Sequence, residues 1–187
     1  MEKNEDKIRY FFDDLHKKGY ISDIIPIKKN FEIIAYKLIR SHELLPNNIS
    51  QIYNYWIPVW HGTKFKFLES IIRNGLKMPK LPSQCSIPKY LFVSPSIFFS
   101  SEILYSDRII SNSKKWAVLV EARLKPNSYI KREAVLVKRK INGEPKELEY
   151  LVESENDVIV TSILFILEEF LNEANEFSEG KIINLTI

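Results

Sequence analysis

From Trp116 to Ile166 the chain runs through four segments rich in aliphatic, aromatic and β-branched residues: Trp116 to Leu124, Glu133 to Arg139, Glu147 to Val152 and Val158 to Ile166. This succession constrains the fold most, because every connection in it is shorter than the roughly dozen residues that a parallel crossover needs. Asn142-Gly143, between the second and third segments, is a hairpin signal. The second half therefore reads as antiparallel sheet. With helical segments upstream, the fold class is α+β, a mostly antiparallel sheet with short flanking helices. Doubly wound nucleotide folds fail on glycine: the chain has 5, and none stands in a GxGxxG or GxxxxGK arrangement.

Upstream, Ile8, Phe11, Phe12 and Leu15 recur at three- and four-residue spacing, and Ile33, Ile34, Leu38 and their neighbours to Ile39 repeat the rhythm, which predicts two short N-terminal helices. Gly19 ends the first, Pro26 sits in an apolar connector that reads as a turn or short strand, and Pro46-Asn47-Asn48 reads as a loop. The expected division is a helical extension over 1–50 and a catalytic domain over 51–187. Ile52 to His61 reads as a strand interrupted by Pro58. A helix follows, with Thr63 placed to cap it, Phe67, Leu68, Ile71 and Ile72 as its buried stripe and Gly75 at its end. After a proline-bearing loop from Met78 to Pro88, Tyr90 to Val93 is a short strand, and Ser94-Pro95-Ser96 caps a helix from Ile97 to Tyr105. The acidic tail from Glu168 to Phe177 reads as helix, and Lys181 to Ile187 as an edge strand.

Composition excludes more than it assigns. The 187 residues are 45% hydrophobic and 27% charged, ordinary for a folded domain, and the net charge of +3 argues for neither nucleic acid nor membrane. Lys131-Arg132 and Lys138-Arg139-Lys140 form the one basic cluster, read as a solvated rim. Cys85 is the single cysteine, and His16, His42 and His61 lie far apart without acidic residues at ligand spacing, so no metal site is expected. The start, Met1 to Asp6, lacks a signal-peptide pattern, and Val158 to Leu167 is about half the roughly 20 residues of a membrane span. A soluble cytoplasmic or intracellular protein is expected.

Three places hold groups that chemistry could use. His61-Gly62-Thr63 stands where a strand gives way to a helix, a position that frees backbone amides for a ligand and that a plain structural turn would also occupy. Leu91 to Ser96 with Tyr105 brings rings and hydroxyls to a strand-to-helix junction, with Phe98, Phe99 and Leu104 read as core. In Glu147-Leu148-Glu149-Tyr150 the carboxylates share one strand face, opposite Leu148 and Tyr150, which suits either a solvated edge or a cleft that needs an acid.

Taken in order, the three resemble the ADP-ribosyltransferases of the diphtheria-toxin and poly(ADP-ribose) polymerase type, marked by a His-Tyr-Glu triad. His61-Gly62-Thr63 with Asn74-Gly75-Leu76 is similar to that family's first motif, Tyr90 to Ser96 with Tyr105 to its second, and Glu149-Tyr150-Leu151-Val152 to its third. The wording Ser94-Pro95-Ser96-Ile97 and Leu148 to Val152 resembles a neuralized-like branch. The likeness spans Val59 to Ile166 and implies a split β-sheet of the ADP-ribosyltransferase type. It implies NAD as co-substrate, no metal, and transfer of a single ADP-ribose to a macromolecular acceptor, a protein first, with ubiquitin or nucleic acid open.

The resemblance also implies roles. Glu149 would stabilise the oxocarbenium-like ribose and hydrogen-bond its 2′-hydroxyl, as a carboxylate does in glycoside hydrolysis. His61 would bind the adenosine ribose and act with Glu149 as the catalytic pair, the Gly62 backbone would hold the nicotinamide carboxamide, and Thr63 would support the turn. Phe92 and Tyr105 would flank the nicotinamide ring, and Tyr90, Ser94 and Ser101 complete the expected NAD-binding set. The triad tyrosine falls on Phe92, so the motif here is His-Phe-Glu, and the missing hydroxyl costs about 1 kcal/mol, about fivefold in affinity. Tyr90 on the same strand face is a possible substitute. Glu147 is a candidate acceptor-side residue, with an exposed structural glutamate as the plainer reading. The alternative is a catalytically impaired NAD-binding or protein-interaction module of the same fold. An RNA 2′-phosphotransferase ranks last, because that chemistry wants more arginine and histidine.

Overall fold

The computed structural model describes residues 6–19, 24–30, 33–38, 49–79, 89–133, 140–141, 144–145 and 148–177. In chain order the first elements are α1 (Lys7–Lys17), β1 (Ile24–Asn30), β2 (Ile33–Leu38), α2 (Ile49–Tyr55), β3 (Ile57–Gly62), α3 (Leu68–Asn74), β4 (Leu91–Val93) and α4 (Ile97–Ser100). The rest are β5 (Arg108–Ser111), β6 (Lys114–Leu124), β7 (Tyr129–Glu133), β8 (Lys140–Ile141), β9 (Glu144–Pro145), β10 (Leu148–Val152), β11 (Val158–Leu167) and α5 (Glu168–Phe177). No helix among the described residues is long and apolar enough to cross a membrane.

The strands form a six-stranded sheet in the order β1-β2-β11-β6-β3, with β5 also on β6, a three-stranded sheet β4-β10-β7, and the short β8-β9 pair. Every pairing is antiparallel. The fold is thus α+β with mostly antiparallel sheets and short helices.

The middle strands of the large sheet are buried on both faces, and β6 shows how. Trp116, Val118, Val120, Ala122 and Leu124 enter the larger core with α1, α3 and the inner face of the small sheet, while Ala117 and Leu119 join a smaller core with Ile97 and Leu171 from α4 and α5. Strand β11 serves both cores through a bulge. Its register slips between Val160 and Ser162, so Val158 and Val160 and then Ile163 and Phe165 all meet the larger core. The Thr161 hydroxyl, in the bulge, donates to the Glu121 carbonyl.

Three expectations are corrected. Residues 33–38 are a strand: β2 pairs antiparallel with β1 and with β11, so the N-terminal segment contributes strands to the central sheet as well as the helix α1. Ile33 and Ala35 enter one core while Ile34, Tyr36 and Leu38 meet the other, and a strand apolar on both faces has no alternation to set it apart from a helix. Phe12 of α1 stacks on Tyr36 at 3.6 Å, packing the helix onto this strand. Next, the strand expected from Ile52 begins only at Ile57, after α2, where Ile52 is buried and Tyr55 exposed. Finally, α4 stops at Ser100 instead of Tyr105, where the Ser101 hydroxyl turns back onto the Phe98 carbonyl. Asn142-Gly143, residues 80–88 of the loop, the stretch 134–139, Glu147 and Lys181 to Ile187 lie outside the described residues.

Candidate active site

The two large pieces of sheet touch at one point and then part. Among the described strands β3 is an edge of the six-stranded sheet, where Pro58 is tolerated because none of them needs its amide. At Trp60 it meets the segment after β4: the Trp60 amide donates to the Ser94 carbonyl at 2.8 Å and the Ser94 amide returns to the Trp60 carbonyl at 2.9 Å. Backbone groups two residues apart on a strand point to the same side, so Gly62 turns its N–H and C=O in the direction that Trp60 uses for Ser94, beyond the bridge. A cleft opens there, lined by residues that include His61, Gly62, Phe92, Ser100, Tyr105 and Glu149.

His61 lies across the gap. Its Nδ1 is 2.8 Å from the Phe92 carbonyl oxygen. A carbonyl only accepts, so Nδ1 carries the hydrogen, and the neutral ring keeps its lone pair on Nε2. Burial pushes the imidazole below its ordinary value, and the Phe92 hydrogen bond only partly opposes this. The ring is therefore neutral at neutral pH.

The facing wall is the segment after α4. Ser96 caps α4 by accepting the Phe99 amide at 3.2 Å, as the Ser-Pro-Ser turn predicts. The Ser100 hydroxyl donates to the Trp60 carbonyl at 3.1 Å, tying α4 to β3. Arg108 then staples the following turn, donating to the Ser101 carbonyl at 2.7 Å and the Ser106 carbonyl at 3.2 Å. This holds Tyr105, whose ring packs on Phe99 at 5.0 Å between centroids. Burial and the neighbouring Glu149 charge raise the Tyr105 phenol above its usual pKa, so it stays a donor.

The floor is the outer face of the small sheet. Tyr150 and Val152 on β10 turn into the core, so Glu149 faces the other way and is 6% exposed. Its cross-strand neighbour is Arg132 on β7. Arg132 donates from Nε at 2.9 Å and Nη2 at 2.7 Å, both to Glu149 Oε2. The same guanidinium lies 5.2 Å over the Phe92 ring.

Of the residues expected from sequence, His61, Gly62, Phe92, Ser94, Tyr105 and Glu149 come together along this cleft. Thr63, Tyr90 and Ser101 are not among its lining residues. Thr63 is buried, its carbonyl taken by the Asp107 amide at 2.9 Å, and the turn after it is capped by the Asp107 carboxylate, which accepts the Phe65 amide at 2.8 Å. Tyr90 precedes β4, and the Ser101 hydroxyl is spent on Phe98; its neighbour Ser100 lines the wall instead. Ser94 also uses its hydroxyl structurally, donating to the Leu148 carbonyl at 2.6 Å. Arg132 is the residue that sequence reasoning passed over, because within a basic cluster nothing sets it apart until its strand partner is known. Comparison with protein-family models finds no match for the chain, and comparison with curated proteins finds none either.

Proposed function

We propose that the chain is an NAD-dependent mono-ADP-ribosyltransferase, cleaving the nicotinamide-ribose bond and passing ADP-ribose to a macromolecular acceptor, a protein first. The observation that carries this reading is the convergence of His61, Phe92, Tyr105 and Glu149, from four separate segments, on one cleft where two sheets part. The chemistry of each group fits. Gly62 presents the paired N–H and C=O that a carboxamide would meet as another strand would. Phe92 and Tyr105 offer rings for the nicotinamide, and the His61 Nε2 lone pair accepts from a ribose hydroxyl. Both Arg132 contacts fall on Glu149 Oε2, so Oε1 is the oxygen for the ribose 2′-hydroxyl and the cation developing at C1′. Nicotinamide leaves with the bonding electrons, and the acceptor nucleophile, losing a proton, closes the new bond to C1′.

The test is labelled NAD with purified protein and a cell lysate, beside Glu149→Gln. Wild type transfers label, and the variant keeps its fold while losing turnover by about 100-fold or more, as when one transition-state contact is removed. No transfer, no hydrolysis and no NAD binding by calorimetry sinks the reading. A second reading, an impaired NAD-binding or protein-interaction module, draws on Phe92 in the tyrosine position and on the partial neutralisation of Glu149 by Arg132; there Glu149→Gln leaves function unchanged.

A further inference from the structure

We infer that Arg132 is a positioning residue for this cleft, acting through Glu149 and Phe92, an assignment that rests on the reading of the cleft as an NAD site. Glu149 lines the cleft, whereas Arg132 is not among its lining residues, so Arg132 reaches the cleft through the groups it contacts. Burying a carboxylate this deeply takes away its hydration, and a hydrogen-bonded partner has to replace it. Arg132 supplies one in a form that leaves work to be done: two donors converge on one oxygen, which holds the carboxyl plane and leaves Oε1 without a hydrogen bond among the described residues.

The other side of the same guanidinium covers Phe92, so one side chain sets the orientation of both the acid and a ring of the cleft. Strand geometry makes the arrangement stiff. Glu149 and Arg132 are direct antiparallel partners, and Phe92 pairs with Leu151, two residues along the same face of β10. The guanidinium also brings positive charge near a cationic transition state, but it is bound to Oε2. With Oε1 turned to the reacting carbon, as the proposed function has it, the nearer carboxylate charge would dominate.

The experiment compares wild type, Arg132→Ala and Arg132→Lys in NAD turnover, with kcat and KM resolved and thermal unfolding measured alongside. Arg132→Ala loses about 10- to 100-fold in kcat, the range found when a supporting partner of a functional group is removed, with KM nearly constant. Arg132→Lys recovers part of the loss, because an ammonium reaches Oε2 but cannot present the paired donors. An unchanged or increased kcat in Arg132→Ala, a loss confined to KM, or a lysine variant no better than alanine overturns the assignment. If Arg132→Ala melts below the assay temperature, Arg132→Lys decides: reduced kcat at constant KM supports it and unchanged kcat overturns it. Wild type that neither binds nor turns over NAD removes both readings, whereas wild-type turnover with an unaffected Arg132→Ala removes this one alone.

Discussion

Gly62→Ala adds one methyl group at the mouth of the cleft, where the surroundings leave it no room. A Cβ on Gly62 would overlap the Ser100 carbonyl oxygen and lie 2.9 Å from Tyr105 Cβ. Neither neighbour gives way cheaply, because Ser100 is held at its hydroxyl by Trp60 and at its amide by Ser96, and Arg108 clamps the turn on either side of Tyr105. Relief requires the segment from Ser100 to Tyr105 to move outward until carbon and oxygen stand about 3.3 Å apart. Overpacking of this kind costs about 2 kcal/mol, which for a domain of this size lowers Tm by about 4 to 8 °C. The same shift moves a cleft wall, so on the function proposed above NAD turnover falls by about 100-fold, as for a misplacement near 1 Å. Gly19→Ala is the control, since Gly19 has φ +73° with nothing within 4 Å of a Cβ, so it pays backbone strain alone and keeps turnover. Scanning calorimetry and NAD kinetics on both variants decide. A Gly62→Ala protein that melts with wild type refutes the packing argument, and one whose NAD turnover equals a turnover shown for wild type refutes its extension to the proposed function.

Two further outcomes concern the frame. Ser106 is fully buried and its hydroxyl both accepts the Val118 amide and donates to the Val118 carbonyl, at 2.9 Å each, filling the gap where β6 passes from β3 to β5. The Val118 amide also donates to the Asp107 carbonyl at 3.2 Å and the Val118 carbonyl also accepts the Thr63 amide at 3.3 Å, so Ser106→Ala costs about 1 kcal/mol by urea unfolding, the net worth of the lost hydrogen bonds, and an unchanged midpoint contradicts that role. For Glu168, burial raises the carboxyl, but hydrogen bonds from Lys115 and Arg108 outweigh it and hold the group below its ordinary 4.5. A depressed folded-state pKa gives stability that is complete above the ordinary value and is lost as pH falls through the folded one. Glu168→Gln therefore destabilises by about 1 kcal/mol at pH 7, and its difference from wild type narrows below pH 4.5; a gap that stays constant into acid rules this out.

Much of this architecture can be read from local patterns. Segments as short and as closely spaced as those from Trp116 to Ile166 have only antiparallel solutions, and β6, β10 and β11 fall within a few residues of where hydropathy puts them. The Ser96 cap and the Gly75 turn, at φ +75°, are equally local, because a side-chain oxygen and a missing Cβ act on their own backbone. So is the end of β3 at His61-Gly62, which puts a histidine and an open glycine edge at a strand terminus.

Side-chain meetings across the fold are another matter. The β8-β9 pair sets Lys140 opposite Pro145 and Ile141 opposite Glu144; carried outward unchanged, that register would set Glu149 opposite Leu136. The strands instead set it opposite Arg132, so the residue that grips Glu149 is hidden from any reading that starts from the β8-β9 register. Likewise, β2 is a strand because β11 offers it a ladder and two cores receive its two faces, which no window along residues 33–38 reveals. Chain-local physics settles which backbone each segment prefers and which residues avoid water. Register and cross-strand partners depend on hydrogen bonding and packing between segments far apart in sequence, and the Arg132-Glu149 pair exists only at that level.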